Sequence, residues 1–169
     1  MKKFLIIGNG NAVTYKEIFP LIKENKMCLG QNTKGGTRKG NSLVFTTQNK
    51  KEKHALSWWY TNIDCQRHKQ HLDLYKKYNT DEYPKYDNYD AINIDRVTDI
   101  PMDYDGEMGV PISFLNKLNR NQFEIVGIMN SYDRGQPYVN GKQKYSRLVI
   151  KRKNNEEVFD YWYNKCHNI

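Results

Sequence analysis

The apolar and polar positions of the first thirty residues predict a strand, a turn and a helix. The apolar stretch that ends at Ile7 is typical of a buried strand, and Gly8-Asn9-Gly10-Asn11 follows it as a tight turn. Thr14-Tyr15-Lys16-Glu17 has the spacing of a capping box, which predicts that a helix begins there. Pro20 should kink or shorten this helix. Strand, turn and helix together form half of an α/β unit.

The rest of the chain alternates short apolar segments with polar connections, which predicts a mainly β region. The predicted strands are Leu43 to Thr47, Trp58 to Ile63, Ala91 to Ile94, Val110 to Phe114, and Phe123 to Met129. A helix is predicted over 66–78. Asn140-Gly141 predicts a two-residue hairpin turn, because both turn positions need positive φ. We expect the return strand to run from Tyr145 to Lys151.

Charge changes this picture by suggesting where a polyanion would bind. The net charge of +8 comes from residues 1–54, which hold eleven Lys or Arg and three acids, whereas residues 55–169 hold sixteen of each. Residues 81–107 hold nine acids and two cations, and residues 134–153 hold seven cations and no acid. Local basic zones are what contact with DNA phosphates requires, although a solvated basic surface has the same composition.

The candidate phosphate contacts fall into three groups. Lys34, Arg38 and Lys39 lie on a glycine-rich segment, which could equally be a solvated loop. Arg67 and Lys69 form a second group on the predicted helix. The third is the basic tract, and it could instead be the polar face of an edge strand, where lysines discourage aggregation. Its members are Lys142, Lys144, Arg147, Lys151, Arg152 and Lys153.

Three other residue clusters could carry a function, but their patterns favour structural roles. Trp58, Trp59 and Tyr60 could stack on bases, but three aromatics in a strand are more typical of a core. A zinc site at Cys65, His68 and His71, with Cys166 and His167, lacks paired-cysteine spacing. The carboxylates of Asp99, Asp103, Asp105 and Glu107 do not match a calcium-loop spacing. We therefore expect no metal.

Cysteine usage and hydropathy bear on the compartment. The three cysteines, Cys28, Cys65 and Cys166, are an odd number without paired spacing, which indicates a reducing cytoplasm rather than a disulfide framework. No apolar run approaches the length of about 18 residues that a membrane helix needs. We expect a soluble cytoplasmic protein with no membrane partner.

Several stretches, in order along residues 2–153, resemble one known family. They are Lys3-Phe4-Leu5-Ile6-Ile7-Gly8-Asn9, Val13-Thr14-Tyr15-Lys16-Glu17-Ile18-Phe19, Leu21-Ile22-Lys23-Glu24-Asn25-Lys26, Tyr83-Pro84-Lys85-Tyr86-Asp87-Asn88-Tyr89-Asp90-Ala91-Ile92, Asp99-Ile100-Pro101-Met102-Asp103-Tyr104-Asp105-Gly106, Met108-Gly109-Val110-Pro111-Ile112-Ser113-Phe114-Leu115, Gln122-Phe123-Glu124-Ile125-Val126-Gly127 and Val139-Asn140-Gly141-Lys142. Together they make the chain similar to the EcoRI-type adenine-specific DNA methyltransferases.

The resemblance implies an α/β fold: a partial Rossmann-like methyltransferase sheet with a mixed or antiparallel C-terminal β region. It implies S-adenosylmethionine as cofactor, double-stranded DNA as substrate, and extrusion of the target adenine from the stack. By resemblance, Gly8, Asn9 and Asn11 lie near the pocket for cofactor and base. The implied organisation is a strand-turn-helix unit of the methyltransferase core over 1–30, a target-recognition region over 31–153, and an extension of unknown role over 154–169.

The family's catalytic Asn-Pro-Pro-Phe motif is not found in this sequence, whose five prolines are all isolated. The expected function is therefore the C-terminal, DNA-engaging part of such an enzyme, inactive alone and unable to hold the cofactor by itself. A second chain could supply the cofactor-binding half. The alternatives are a stand-alone DNA-binding module and, with less support, a metal-dependent nuclease.

Overall fold

The computed structural model describes residues 2–30, 43–46, 52–55, 57–64 and 66–153; for 43–46, 52–55, 66 and 67 it describes the backbone only. The chain divides into two compact units, Met1–Arg67 and His68–Ile169. The predicted glycine-rich segment with Lys34, Arg38 and Lys39 lies outside the described residues, as does the extension over 154–169.

The described residues of the first unit form the strands β1 (Leu5–Asn9), β2 (Cys28–Leu29), β3 (Leu43–Thr46), β4 (Glu52–Ala55) and β5 (Ser57–Thr61). Strand β5 is the centre of an antiparallel sheet with the order β1-β5-β2, in which Leu5 is opposite Thr61. Strands β3 and β4 form a separate antiparallel pair. The predicted strands at 43–47 and 58–63 are thus confirmed to within two residues.

Strand β1 is an edge strand, and the prediction that it is buried is wrong. Leu5, Ile6 and Ile7 are 54%, 49% and 54% exposed. Because side chains of a strand alternate between two faces, exposure of three successive residues means that both faces of β1 lack cover. Among the described strands, β1 pairs only with β5, on one side.

The helix of the first unit starts later than the capping box predicts. A 3₁₀ helix spans Gly10–Thr14, and the α-helix α1 spans Phe19–Lys23 without a side-chain cap. Pro20 lies in the first turn of α1, where its missing N–H costs nothing. The predicted start at Thr14 is wrong because a helix from there would place Pro20 in its interior, where Pro20 would remove a backbone hydrogen bond.

The second unit is built on a four-stranded sheet with the order β6-β7-β11-β8. The strands of this sheet are β6 (Ile92–Asn93), β7 (Met108–Pro111), β8 (Phe123–Met129) and β11 (Arg147–Arg152). Between β8 and β11 in the chain, β9 (Tyr138–Val139) and β10 (Lys142–Gln143) form a separate hairpin. Among the described strands of this unit, β6 and β7 are the one parallel pair. The predicted strand over 123–129 is confirmed residue for residue.

Strand β11 lies between β7 and β8, so the edge-strand interpretation of the basic tract is wrong for this part of it. Its residues Leu148, Val149 and Ile150 are fully buried. Val149 packs in one core cluster with Tyr86, Ala91 and Met129. Elsewhere in the core of this unit, the rings of Phe114 and Phe123 meet edge to face at 5.3 Å. The return strand predicted over 145–151 is therefore a sheet strand, and the hairpin returns through β10 instead.

The helix predicted over 66–78 is wrong apart from a single 3₁₀ turn, Gln66–Lys69. Beyond it, Gln122 fixes the extended chain by accepting a hydrogen bond from the Leu72 amide (2.9 Å) and donating one to the Leu72 carbonyl (2.7 Å). Asn119 donates to the carbonyls of Lys69 and Gln70. Gln122 and Asn119 are themselves buried. These distant side chains satisfy the backbone groups that a helix would have paired internally.

The fold class predicted from the sequence is confirmed as mixed α/β with few helices and with mixed and antiparallel sheets. Within the described ranges, no helix is both long and apolar enough to cross a membrane.

Candidate nucleic-acid interface

The hairpin formed by β9 and β10 presents the clearest candidate surface for contact with a polyanion. Asn140 (φ 51°) and Gly141 (φ 71°) form its turn, both in the left-handed conformation that the Asn-Gly pair predicts. Strand β10 and the following Tyr145 are exposed. We call residues 138–146 the hairpin arm.

Asp87 holds the turn of the hairpin arm in place. Its two carboxylate oxygens accept hydrogen bonds from the backbone amides of Asn140 (3.0 Å) and Gly141 (2.7 Å). The Asp87 amide in turn donates to the carbonyl of Tyr138 (2.9 Å). Asn88 adds a bond from its side-chain amide to the carbonyl of Gln136 (2.9 Å). The arm is thus fastened to residues about fifty positions earlier in the chain.

Asp95 binds two cations at the end of the hairpin arm. The guanidinium of Arg147 donates to one carboxylate oxygen at 3.0 Å, and Lys144 lies 3.4 Å from the other. Partial burial raises the pKa of Asp95, but the hydrogen bond from Asn93 and the two cations outweigh it and hold this pKa below its ordinary value. Arg147 is only 8% exposed, so it is a structural cation rather than a phosphate contact.

Tyr86 lies beneath these charges and remains protonated. Its hydroxyl donates to the side chain of Asn93 at 2.9 Å and approaches the carbonyl of Gly109 at 3.2 Å. Burial raises the pKa of Tyr86 far above its ordinary value, and the nearby Arg147 only partly opposes this. The neutral Tyr86 hydroxyl therefore holds the side chain of Asn93 through a hydrogen bond, and Asn93 in turn orients Asp95 through another.

The structure separates the predicted cations into different environments. Lys142 is exposed on the hairpin arm, whereas Lys144 is half-buried against Asp95. Lys69 is exposed, and its carbonyl accepts the hydrogen bond from Asn119. The side chain of Arg67 is outside the described residues, as are Lys34, Arg38 and Lys39. Of the predicted phosphate contacts, Lys142 and Lys144 lie on the hairpin arm, and Arg147, Lys151 and Arg152 lie on β11.

A second polar cluster, centred on Arg134, was not singled out from the sequence. Arg134 donates to the Tyr89 hydroxyl and to the carbonyl of Val126 (3.2 Å), and its guanidinium lies 5.2 Å from the centre of the Tyr89 ring. The Tyr89 hydroxyl donates to Glu107. Burial, followed by this bond, raises the pKa of Tyr89 to about 12. Val126 is the extra residue of a β-bulge in β8, which directs its carbonyl out of the sheet.

The glycine turn after β1 is packed against aromatic rings. A Cβ on Gly10 would lie 2.9 Å from the Trp58 ring, and one on Gly8 would lie 3.1 Å from the Tyr60 ring. The side chain of Asn9 caps the 3₁₀ helix by accepting from the Asn11 amide (2.9 Å). Packing thus favours glycine at both positions, most strongly at Gly10, and the exposed residues Asn9 and Asn11 are the polar groups of this turn.

The aromatic strand β5 contributes to the core of the first unit through Tyr60. Tyr60 is buried, and its hydroxyl donates to the carbonyl of Asn9 at 2.7 Å. Burial raises the pKa of Tyr60 to about 12. Trp58 and Trp59 are half-buried, the first against Gly10 and the second against Gly30. This agrees with the structural interpretation of the aromatic triplet.

Within the described part of the chain, no three His, Cys, Asp or Glu side chains are grouped so as to hold a metal ion. Cys65, Cys166 and His167 fall outside that part. Of the candidate acids, Asp99 binds Lys76 at 3.2 Å, and Asp103 accepts from the Tyr78 amide at 2.7 Å. Both carboxylates therefore have structural partners.

Comparison with known proteins gives these surfaces a context. The family model described as adenine-specific methyltransferase EcoRI matches residues 1–153. The chain is 42% identical over 165 residues to the type II methyltransferase M.EcoRI of Escherichia coli, which covers 90% of this chain and 51% of that protein. It is 32% identical over 190 residues to the type II methyltransferase M.MpnI of Mycoplasma pneumoniae, covering 91% and 58%. No solved structure matches the chain.

The chain thus spans about half the length of the curated relatives that it matches. The family model nevertheless covers the described residues of both units, including β1, the glycine turn and the hairpin arm. The ordered resemblance found in the sequence is confirmed, and the chain belongs to the EcoRI family of adenine-specific methyltransferases.

Proposed function

We propose that this chain is the DNA-engaging part of an adenine-specific DNA methyltransferase and that methyl transfer needs a second polypeptide segment. The family match over residues 1–153 carries the proposal. The matched portion amounts to about half of M.EcoRI, and the chain contains no Asn-Pro-Pro sequence. The proposed substrate is double-stranded DNA, and the proposed compartment is the cytoplasm.

Strand β1 is the proposed contact with that second segment. Its residues Leu5, Ile6 and Ile7 are about half exposed, and its outer edge carries no strand from the described residues. An apolar edge strand with open backbone groups is a template for another strand. Pairing there would satisfy the backbone groups and remove the three apolar side chains from water.

S-adenosylmethionine is the proposed cofactor of the assembled enzyme. The turn at Gly8, Asn9 and Asn11 does not by itself fit a cofactor cradle, because aromatic rings fill the space beside its glycines and the Asn9 side chain caps the turn. Asn9 and Asn11 are both exposed there, and the Asn9 side-chain oxygen is already used by the turn. We infer that this turn borders the cofactor or base pocket rather than forming it.

The hairpin arm is the proposed DNA contact of the second unit. Lys142 is exposed on it, and Lys144 lies beside Asp95, whose single negative charge is shared with the structural cation Arg147, so that a net positive charge remains. Cations of this kind hold phosphates and fix the register of the protein on the duplex. Lys34, Arg38, Lys39, Arg67 and Lys69 remain further proposed contacts.

The first experiment measures methyl transfer with labelled S-adenosylmethionine and duplex DNA. The purified chain alone should show no transfer, and addition of the half of M.EcoRI that this chain does not match should restore it. Methylation by the chain alone would contradict the need for a second segment. DNA binding without any rescue would instead favour the stand-alone module.

The edge contact is tested in the same rescue assay. Ile6→Lys places a charge on the open edge of β1 and should abolish rescue, because a desolvated ammonium opposes strand pairing. Ile63→Lys is the matched control, since Ile63 is 41% exposed and lies outside β1. Equal rescue by both variants would refute the assignment of β1 as the contact.

DNA binding is measured separately as a function of salt. The affinity of the chain for a duplex should fall linearly with the logarithm of salt concentration, with a slope of about 0.9 per phosphate contact. Binding that is absent at low salt, or insensitive to salt, would contradict the proposed DNA-engaging role.

A further inference from the structure

Tyr145 is held with its ring in water on a fixed backbone. It is 89% exposed, more than any other large apolar or aromatic side chain in the described residues. The backbone on either side of it is fastened: the Lys144 amide donates to the carbonyl of Pro137 at 2.8 Å, and Arg147 donates to the carbonyl of Tyr145 at 3.3 Å. The position of the Tyr145 backbone, from which the ring projects, is therefore set before any ligand arrives.

An exposed ring on a fixed backbone favours binding of a ligand through the Tyr145 ring. A tyrosine has two side-chain torsions, so fixing it on a ligand costs little conformational entropy compared with a lysine or arginine. The buried Arg147, anchored by Asp95 at 3.0 Å, resists movement of the carbonyl that it holds. Two side chains, Arg147 and Asp95, thus hold the backbone that carries this exposed ring.

The charges beside the ring indicate which ligand it fits. Lys142 and Lys144 precede Tyr145 by three residues and one residue. Lys144 and Arg147 share the single carboxylate of Asp95, and Lys142 adds a further positive charge. An aromatic ring among cations is the combination with which proteins bind unstacked nucleic-acid bases, the cations holding the backbone and the ring stacking on a base.

We propose that Tyr145 stacks on a DNA base at a position where the duplex is opened, while Lys142 holds the adjacent phosphates. The proposal rests on the DNA-engaging role given under the proposed function and adds a base contact to it. Stacking is tolerant of sequence because every base has an aromatic face. Tyr145 is thus assigned to recognition of the opened duplex and not to reading its sequence.

Tyr75 provides a matched control within the same unit. It is 81% exposed, so its surface is similar to that of Tyr145. Its surroundings differ in charge: Asp73 precedes it by two residues, and the adjacent Lys76 is bound to Asp99 at 3.2 Å. Lys77 follows it by two residues, so the charges around this ring cancel, whereas those around Tyr145 leave an excess of cations.

The test compares two duplexes of one sequence, one fully paired and one with a single mismatched pair, in binding titrations with the full 169-residue chain. The wild-type chain should prefer the mismatched duplex, because its base is already partly unstacked. Tyr145→Ala should weaken binding to the mismatched duplex by about 5- to 150-fold, the range that corresponds to ~1–3 kcal/mol per stacked base. Tyr145→Phe keeps the ring and should bind within about twofold of wild type by the same reasoning.

Salt dependence separates stacking from phosphate contact. Tyr145→Ala should leave the salt slope unchanged, whereas Lys142→Ala should lower it by about 0.9. Tyr75→Ala should match the wild-type chain in affinity and slope. A Tyr145→Ala variant that keeps the wild-type preference for the mismatched duplex would overturn the stacking proposal and leave the DNA-engaging role intact. A wild-type chain that binds neither duplex would overturn both.

Discussion

Replacing Asp87 by alanine tests whether DNA binding depends on the geometry of the hairpin arm or only on its charge. The carboxylate of Asp87 accepts from the amides of Asn140 and Gly141 at 3.0 and 2.7 Å. A bond to a charged acceptor stabilises by about 1.5–3 kcal/mol, and we take ~1 kcal/mol for each because all three residues are exposed. The variant should therefore lose about 2 kcal/mol of local stability at the turn.

Two measurements report the consequence. Hydrogen exchange at the two turn amides should become about 30-fold faster, the factor that corresponds to ~2 kcal/mol of lost protection. DNA affinity should fall by about 3- to 30-fold. The upper limit applies if only the molecules whose hairpin arm keeps the bound geometry can bind DNA, because affinity then falls with the fraction of such molecules. The direction is informative, because Asp87→Ala makes the chain more positive and electrostatics alone would strengthen binding.

Asp81→Ala is the control for charge. Asp81 is exposed in the same unit, and its removal adds the same positive charge without touching the hairpin arm. It should bind DNA as tightly as the wild-type chain, or slightly more tightly. If Asp87→Ala and Asp81→Ala bind alike, or if the turn amides of Asp87→Ala keep wild-type exchange rates, the positioning role of Asp87 is refuted.

Two further predictions concern the network beneath the hairpin arm. Gly109→Ala should lower the free energy of unfolding by about 2–4 kcal/mol, because its Cβ would overlap the Tyr86 hydroxyl. Chemical denaturation measures this loss. Adding Tyr86→Phe to the Gly109→Ala chain should restore part of it. Asp95→Ala should cost about 1–3 kcal/mol at neutral pH by leaving the buried Arg147 without its carboxylate. Because the folded-state pKa of Asp95 is depressed, its contribution is complete above about pH 4 and is lost as pH falls below that value, so the two chains should converge in stability on acidification. A constant difference between them down to pH 2 would contradict this assignment.

The elements predicted correctly are those whose signal is local. The Asn140-Gly141 turn follows from two residues that adopt positive φ readily, and the structure has both in that conformation. The strand over 123–129 lies between the polar residues Gln122 and Asn130 and is mostly apolar, so its ends follow from the sequence. In both cases the sequence signal lies within the element, although Asp87 also holds the turn.

The errors fall where distant side chains or backbone chemistry decide. The segment 66–78 has a helical appearance, but Gln122 binds both backbone groups of Leu72 across fifty residues. Strand β1 has the composition of a buried strand and is exposed, because its burial depends on a neighbour and not on its own residues. Asp87, which positions the hairpin arm, could not be found from its spacing, since the turn that it holds lies 53 residues away.

The acidic zone and the basic zone of the second unit contact each other in the fold. The sequence shows an acidic zone over 81–107 and a basic one over 134–153, and the second was interpreted as a candidate DNA surface. In the fold the acidic zone binds the basic one: Asp95 faces Lys144 and Arg147, and Asp105 lies 4.0 Å from Arg152. Counting the cations of the tract therefore overstates its charge. Because the carboxylates compensate one end of the arm, Lys142 should affect the salt dependence of DNA binding more than Arg147 does.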